Sequence, residues 1–166
     1  MHCTAYIVEA RGNAKLAIMP RPRRGEWLRD DISSLSSQGF GLVVSLLEKD
    51  ETRNLGLAEE AELVRELGME FVTIPIPDLS TPPLDVAMKA TISSLAEAWC
   101  GGTSIVIHCR MAYGRAPMIA ACILVCCGQT AERAIAEVAA ARGVPVPETP
   151  VQREWIFNYE KAVRPA

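Results

Sequence analysis

Three short, strongly apolar strand-like runs, the first continuously apolar rather than alternating, constrain this chain more than any other feature. They are GLVVSLL (41–47), FVTIPI (71–76) and TSIVIH (103–108). A strand with one wet face alternates apolar and polar residues, whereas a run without alternation is covered on both faces. Between and after these runs lie stretches of helical character. Leu57 to Leu67 is amphipathic and meets Gly68, and Leu84 to Trp99 stops at Gly101-Gly102. Ala116 to Cys127 is closed by Gly128, Thr130 caps a helix running to Arg142, and residues 151–163 form a last amphipathic helix. Two β-like runs, 4–9 and 15–19, flank Gly12 and Asn13 and read as a hairpin. Trp27, Ile32 and Leu35 give a weak helical face up to Gly39. Prolines make PRPRRG (20–25) and PDLSTPP (77–83) irregular. Strands alternating with helices predict one α/β domain over residues 1–166, with a mainly parallel central sheet flanked by helices. Ligands of such sheets sit beyond the carboxyl ends of the strands.

Length and charge narrow the function. A chain of 166 residues buries roughly two-thirds of its unfolded surface, so it needs neither disulfide nor metal to fold. With 17 Lys and Arg against 20 Asp and Glu, the net charge of −3 argues against nucleic acid as a partner. No apolar run approaches the ~18 residues of a membrane span. The N-terminus has no secretory pattern, so the six cysteines read as reduced thiols of a cytoplasmic protein. Cys122 and Cys126 lie four apart on one helix face and read as small core hydrophobes, not a metal pair. No metal or cofactor is expected.

Chemistry concentrates in SIVIHCRMAYGRAPMIAA (104–121). A buried strand ends at His108; Cys109 follows; five residues later Arg115 opens an apolar helix. A loop feeding a helix N-terminus turns several amides into one concavity, and the helix dipole favours an anion there. Arg115 adds a planar, permanently charged fork that fits two oxyanion oxygens. The same field favours the Cys109 thiolate, a nucleophile.

HCRMAYGR resembles the Cys-x5-Arg phosphate loop of the cysteine-based protein tyrosine phosphatases. The small size resembles the dual-specificity branch, and residues 40–163 resemble its atypical, kinase-associated-phosphatase-like members. The resemblance implies a phosphatase fold and hydrolysis of phosphomonoesters of phosphotyrosine, and of phosphoserine or phosphothreonine proteins, through a phosphocysteine intermediate. It makes Cys109 the nucleophile, and gives the oxyanion to Arg115 and the loop residues Arg110, Met111, Ala112, Tyr113 and Gly114. Asp78, 31 residues before Cys109, becomes the general acid; Asp85 and Glu97 fall in a predicted helix and are worse placed. His108 supports the loop, and Gln152 stands where several branches orient a water. The partner is a phosphorylated protein or a small aryl phosphate, and the loop lacks the two lysines of the phosphoinositide-specific branch.

Two positions depart from the pattern. Ala112 replaces a usual Gly, and Ala116 replaces the usual Ser or Thr after the arginine. Both keep open a phosphate-binding pseudophosphatase with little turnover. A sulfurtransferase is a third reading, but it would leave the Asp78 loop without a role. Arg21, Arg23 and Arg24 form a basic loop that either is simply solvated or attracts an anion. Cys3, Cys100 and Cys122 are conceivable disulfide partners for the nucleophile, and the sequence places none of them within reach.

Overall fold

The computed structural model describes residues 3–164. Five strands form one sheet in the order β1-β2-β5-β3-β4. The strands are β1 (Tyr6–Arg11), β2 (Ala14–Met19), β3 (Leu42–Ser45), β4 (Glu70–Thr73) and β5 (Ile105–His108). Only the β1–β2 hairpin is antiparallel, turning at Gly12 and Asn13 as expected. The sheet is therefore mainly parallel, and the domain is α/β.

Helices cover both faces, which explains why β3 and β5 carry no alternation. Leu42, Val44, Ile105 and Ile107 face one core with α4 (Val86–Cys100), α5 (Arg115–Cys126), α6 (Ala131–Arg142) and α7 (Pro150–Val163). Val43 and Val106 face the other, with α1 (Glu26–Ser37) and α3 (Glu60–Glu66). Thr130 caps α6 as anticipated, accepting the Arg133 amide at 3.2 Å.

Three expectations are corrected. The strand expected over 71–76 is shorter, because Pro75 and Pro77 have no amide to donate; the Ile74 and Ile76 amides still bond to β3-side carbonyls at 2.9 and 3.1 Å. The helix expected from Leu84 begins at Val86, and Asp85 is its cap, accepting the Met88 amide at 2.8 Å. Asp85 is thereby spent on α4. A helix not anticipated at all, α2 (Lys49–Asn54), follows β3. All six of its residues are polar, so no apolar period announces it; Glu51 stabilises its first turn, accepting the Glu48 amide at 3.2 Å.

The basic loop is neither simply solvated nor a continuous patch. Arg23 grips the fully buried Asp31 at 2.6 Å and lies over the Trp27 ring. Asp31 would otherwise be an uncompensated buried charge. Arg21 presents its backbone amide to the Arg110 carbonyl at 3.1 Å.

Candidate active site

At the carboxyl end of the sheet, between β5 and α5, the chain makes a tight loop over residues 109–114. Its carbonyls are pulled outward. The Cys109 carbonyl faces Nδ1 of His108 at 3.2 Å, and that of Arg110 accepts the Arg21 amide. Arg142, at the end of α6, donates Nη2 to the Met111 carbonyl at 3.4 Å and Nε to that of Ala112 at 3.1 Å. Its guanidinium is held between the Tyr6 and Tyr113 rings, 4.5 and 4.3 Å from their centroids. With the carbonyls committed outside, the amides remain for the inside. Among the described residues, no amide from Arg110 to Gly114 donates to a protein acceptor. A ring of unpaired donors at a helix N-terminus is an anion site.

The bend is sharp enough to put Ala112 at φ 60°, a left-handed conformation that Gly adopts freely and Ala does not. The departure from the family's Gly is thus absorbed as strain, with the turn retained. At Gly114 the constraint is space: a Cβ would sit 2.7 Å from oxygens of both Gln152 and Glu148. Gln152 is fully buried; its Nε2 donates to the Ser80 carbonyl at 3.2 Å, while its Oε1 has no partner.

Cys109, Arg115 and Asp78 line one cavity of about 120 Å3, with Arg110, Met111, Tyr113, Leu79 and Glu148 at its sides. Arg115 is buried and held on both ends of its fork. Glu51 takes Nη1 and Nη2 at 2.8 Å each, the Ile76 carbonyl takes Nη1 at 2.9 Å, and Asp78 stands 3.1 Å from Nη2. Partial burial works against the charge of Glu51. The hydrogen bonds from Arg115 and the Glu48 amide, with the Arg115 and Arg110 charges, hold its carboxyl below the usual range nonetheless. Asp78 is nearly half exposed and also accepts the Leu79 amide at 3.0 Å.

Beneath the loop, Nε2 of His108 meets Oε1 of Glu60 at 2.7 Å, both side chains being essentially inaccessible. Burial alone would lower the imidazole pKa. The Glu60 charge and hydrogen bond, with the Cys109 carbonyl, outweigh it and raise the pKa, against opposition from Arg115. His108 thus sits beneath the loop paired with Glu60, a carboxylate partner that the sequence did not show.

A larger, mostly apolar cleft of about 520 Å3 lies between α2, α3 and β4, floored by Leu47, Leu57 and Phe71. Its lining presents no cysteine beside a phosphate-type loop, so the smaller cavity is the candidate site. Three of that site's supports escaped sequence reasoning: Glu51, Glu60 and Arg142. Each comes from a separate helix, and nothing local marks a carboxylate or a guanidinium as the partner of a loop far along the chain.

This sheet and this loop, with a cysteine at its start and an arginine at its end, define an α/β domain of the protein tyrosine phosphatase type. The chain belongs to the family described as Tc-R-P, polymorphic toxin system, DSP-PTPase phosphatase, whose model matches residues 17–129. No curated protein matches it. Among solved structures, kinase associated phosphatase (KAP) carrying serine for its catalytic-site cysteine is similar at a TM-score of 0.83 and 20% identity, over 100% of this chain and 97% of that one. Tk-PTP in the active form is similar at 0.76 and 24%, over 95% and 96%. PTPMT1 in complex with PI(5)P is similar at 0.72 and 16%, over 96% of each. At these identities the structures speak for the fold, and the family match places the chain among the DSP-type phosphatases of the superfamily.

Proposed function

We propose that this protein is a cysteine-dependent phosphatase that hydrolyses phosphomonoesters, phosphotyrosine above all and phosphoserine or phosphothreonine proteins besides, through a phosphocysteine intermediate. One observation carries the reading: Cys109, Arg115 and Asp78 meet in a single small cavity ringed by free amides. Sγ of Cys109 attacks phosphorus, and the bond to the leaving oxygen breaks. The loop amides and Arg115 take the charge of the equatorial oxygens, a preorganised electrostatic contribution. An incoming phosphoryl group replaces Asp78 on Nη2 of Arg115, while Glu51 keeps the guanidinium aimed. Asp78, released, protonates the leaving oxygen. Water then displaces Cys109 from phosphorus, with Asp78 as base and the unpartnered Oε1 of Gln152 orienting that water. The protein acts in a reducing compartment such as the cytoplasm, where Cys109 stays a thiol.

Ala116 has no hydroxyl with which to ease the departing thiolate. Dephosphorylation of the enzyme is therefore the slow step, and rapid-quench kinetics should show a burst stoichiometric with enzyme; a linear onset of product argues against it.

The alternative is a phosphate-binding pseudophosphatase, which the strained Ala112 and the carboxylates already seated on Arg115 favour. An aryl phosphate and a phosphotyrosyl peptide, incubated with a metal chelator, decide between them. The phosphatase reading expects release of phosphate that falls on the order of 10^4-fold or more in Cys109→Ser. Peptide binding without product would establish the binding module instead.

A further inference from the structure

We propose that Cys100 and Cys127 form a second thiol site, separate from the phosphate loop, that reacts with small-molecule disulfides such as oxidised glutathione and closes into an intramolecular disulfide. Their sulfurs are 3.4 Å apart. Cys100 is the last residue of α4 and Cys127 caps α5 at the end opposite Arg115, about 18 Å along the helix at ~1.5 Å per residue. The pair therefore belongs to another region of the molecule than Cys109.

The two thiols stand in unlike surroundings. Cys100 is exposed, and Nη1 of Arg11 donates to its sulfur at 3.4 Å. That guanidinium is fixed over the Trp99 ring, 4.5 Å from the centroid. Arg11 thus sets a fixed cation beside the one sulfur of the pair that an incoming, anionic disulfide can reach from solvent. Cys127 is half-buried, and its thiol is pushed up to about 12, chiefly by burial and then by the Cys100 thiol, against Arg11. Cys100 is accordingly the thiol that attacks, and Cys127 the one that resolves.

The exchange balances without any further reagent. The Cys100 thiolate attacks one sulfur of glutathione disulfide, the S–S bond breaks, and one glutathione thiolate leaves. Capping Cys100 removes the neighbouring charge that opposes ionisation of Cys127. Cys127 then gives up its proton, attacks the Cys100 sulfur and expels the second glutathione thiolate, which takes the proton. Two protein thiols are oxidised, and one disulfide is reduced to two thiols.

The backbone permits closure. The sulfurs must approach to about 2.05 Å, and each cysteine is followed by glycine, Gly101 and Gly128, at a helix end where the chain can adjust. The bridge would join the carboxyl ends of α4 and α5, two helices packed in the same core.

The test reads bonds and melting, not phosphate release, so it stands whether or not the phosphatase reading holds. The full chain is equilibrated with oxidised glutathione, quenched with an alkylating agent, digested and mapped without reduction. A Cys126→Ser background identifies which of the two adjacent sulfurs is bridged. The expected result is a Cys100–Cys127 linked peptide that disappears in Cys100→Ser and in Cys127→Ser. The melting midpoint of the oxidised chain should rise by about 5–10 °C, and that of neither serine variant should. A stable glutathione adduct on Cys100, a bridge through Cys126 or Cys109, or unmodified Cys100 would each overturn the proposal.

Discussion

The loop over 109–114 and the loop over 77–83 face each other across one small cavity and are built in opposite ways. The first is gripped from outside at four successive carbonyls and lies on a buried ion pair. Apart from the contact of Asp78 with Arg115, the second is anchored past its tip, where Gln152 donates to the Ser80 carbonyl and the Trp155 indole to that of Pro82 at 2.9 Å. Its tip, Asp78 and Leu79, is exposed, and Leu79 holds φ 59° with no glycine to ease it. Charge stabilisation needs donors that do not reorganise, whereas proton delivery needs a group that can leave its resting partner. The contrast in anchoring matches that division.

The sharpest way to break the comparison is at Asp78. Asp78→Asn should lower the rate of the burst, and with it kcat/KM, about 10^2–10^4-fold for a poor leaving group, with little effect on melting, since nothing in the core depends on it. A similar loss for activated and unactivated leaving groups would argue against the acid role.

Next comes the support beneath the other loop. Glu60→Gln leaves His108 buried without its counter-charge and should cost about 3 kcal/mol in denaturant unfolding. The folded-state pKa of His108 is raised above its ordinary 6.5. The stabilisation is therefore complete below about pH 6.5 and is lost as pH rises through the folded-state value. The wild type should lose stability over that interval, and Glu60→Gln should lack that slope. A parallel pH dependence in both proteins would mean that the pair is neutral.

The smallest effects separate strain at the two turns. Ala112→Gly should relieve on the order of 1 kcal/mol and raise turnover, because the bend there orients oxyanion donors. Leu79→Gly should gain less in melting, since an exposed tip relaxes its own strain. Equal gains at both would show that the cradle is no stiffer than the loop opposite.

Much of this was legible from local pattern. The dense apolar runs pointed to β3 and β5, which are buried along their whole length, whereas β4, at the sheet edge, is half-buried to exposed. Cys109, Arg115 and the bend lie within one short segment, so its strand-loop-helix pattern pointed to them. What stayed hidden was long-range or cooperative. Glu51 clamps Arg115 from a wholly polar one-and-a-half-turn helix, and Glu60 meets His108 across 48 positions of sequence. Arg142 reads locally as an ordinary cation at a helix end. The cap role of Asp85 was missed by one residue of helix boundary, while Asp78 was singled out through the resemblance, and it stands 3.1 Å from Nη2 of Arg115.

The helix that starts at Arg115 has eleven of its twelve residues buried, beginning with the arginine itself. Chemistry and architecture here share one rod. Descent with modification can repaint the exposed rim around Met111, Leu79 and Glu148 and so reshape the mouth of the cavity. Tinkering along α5, by contrast, would be felt at once by the fold and by the anion seat, which leaves that segment little freedom to drift.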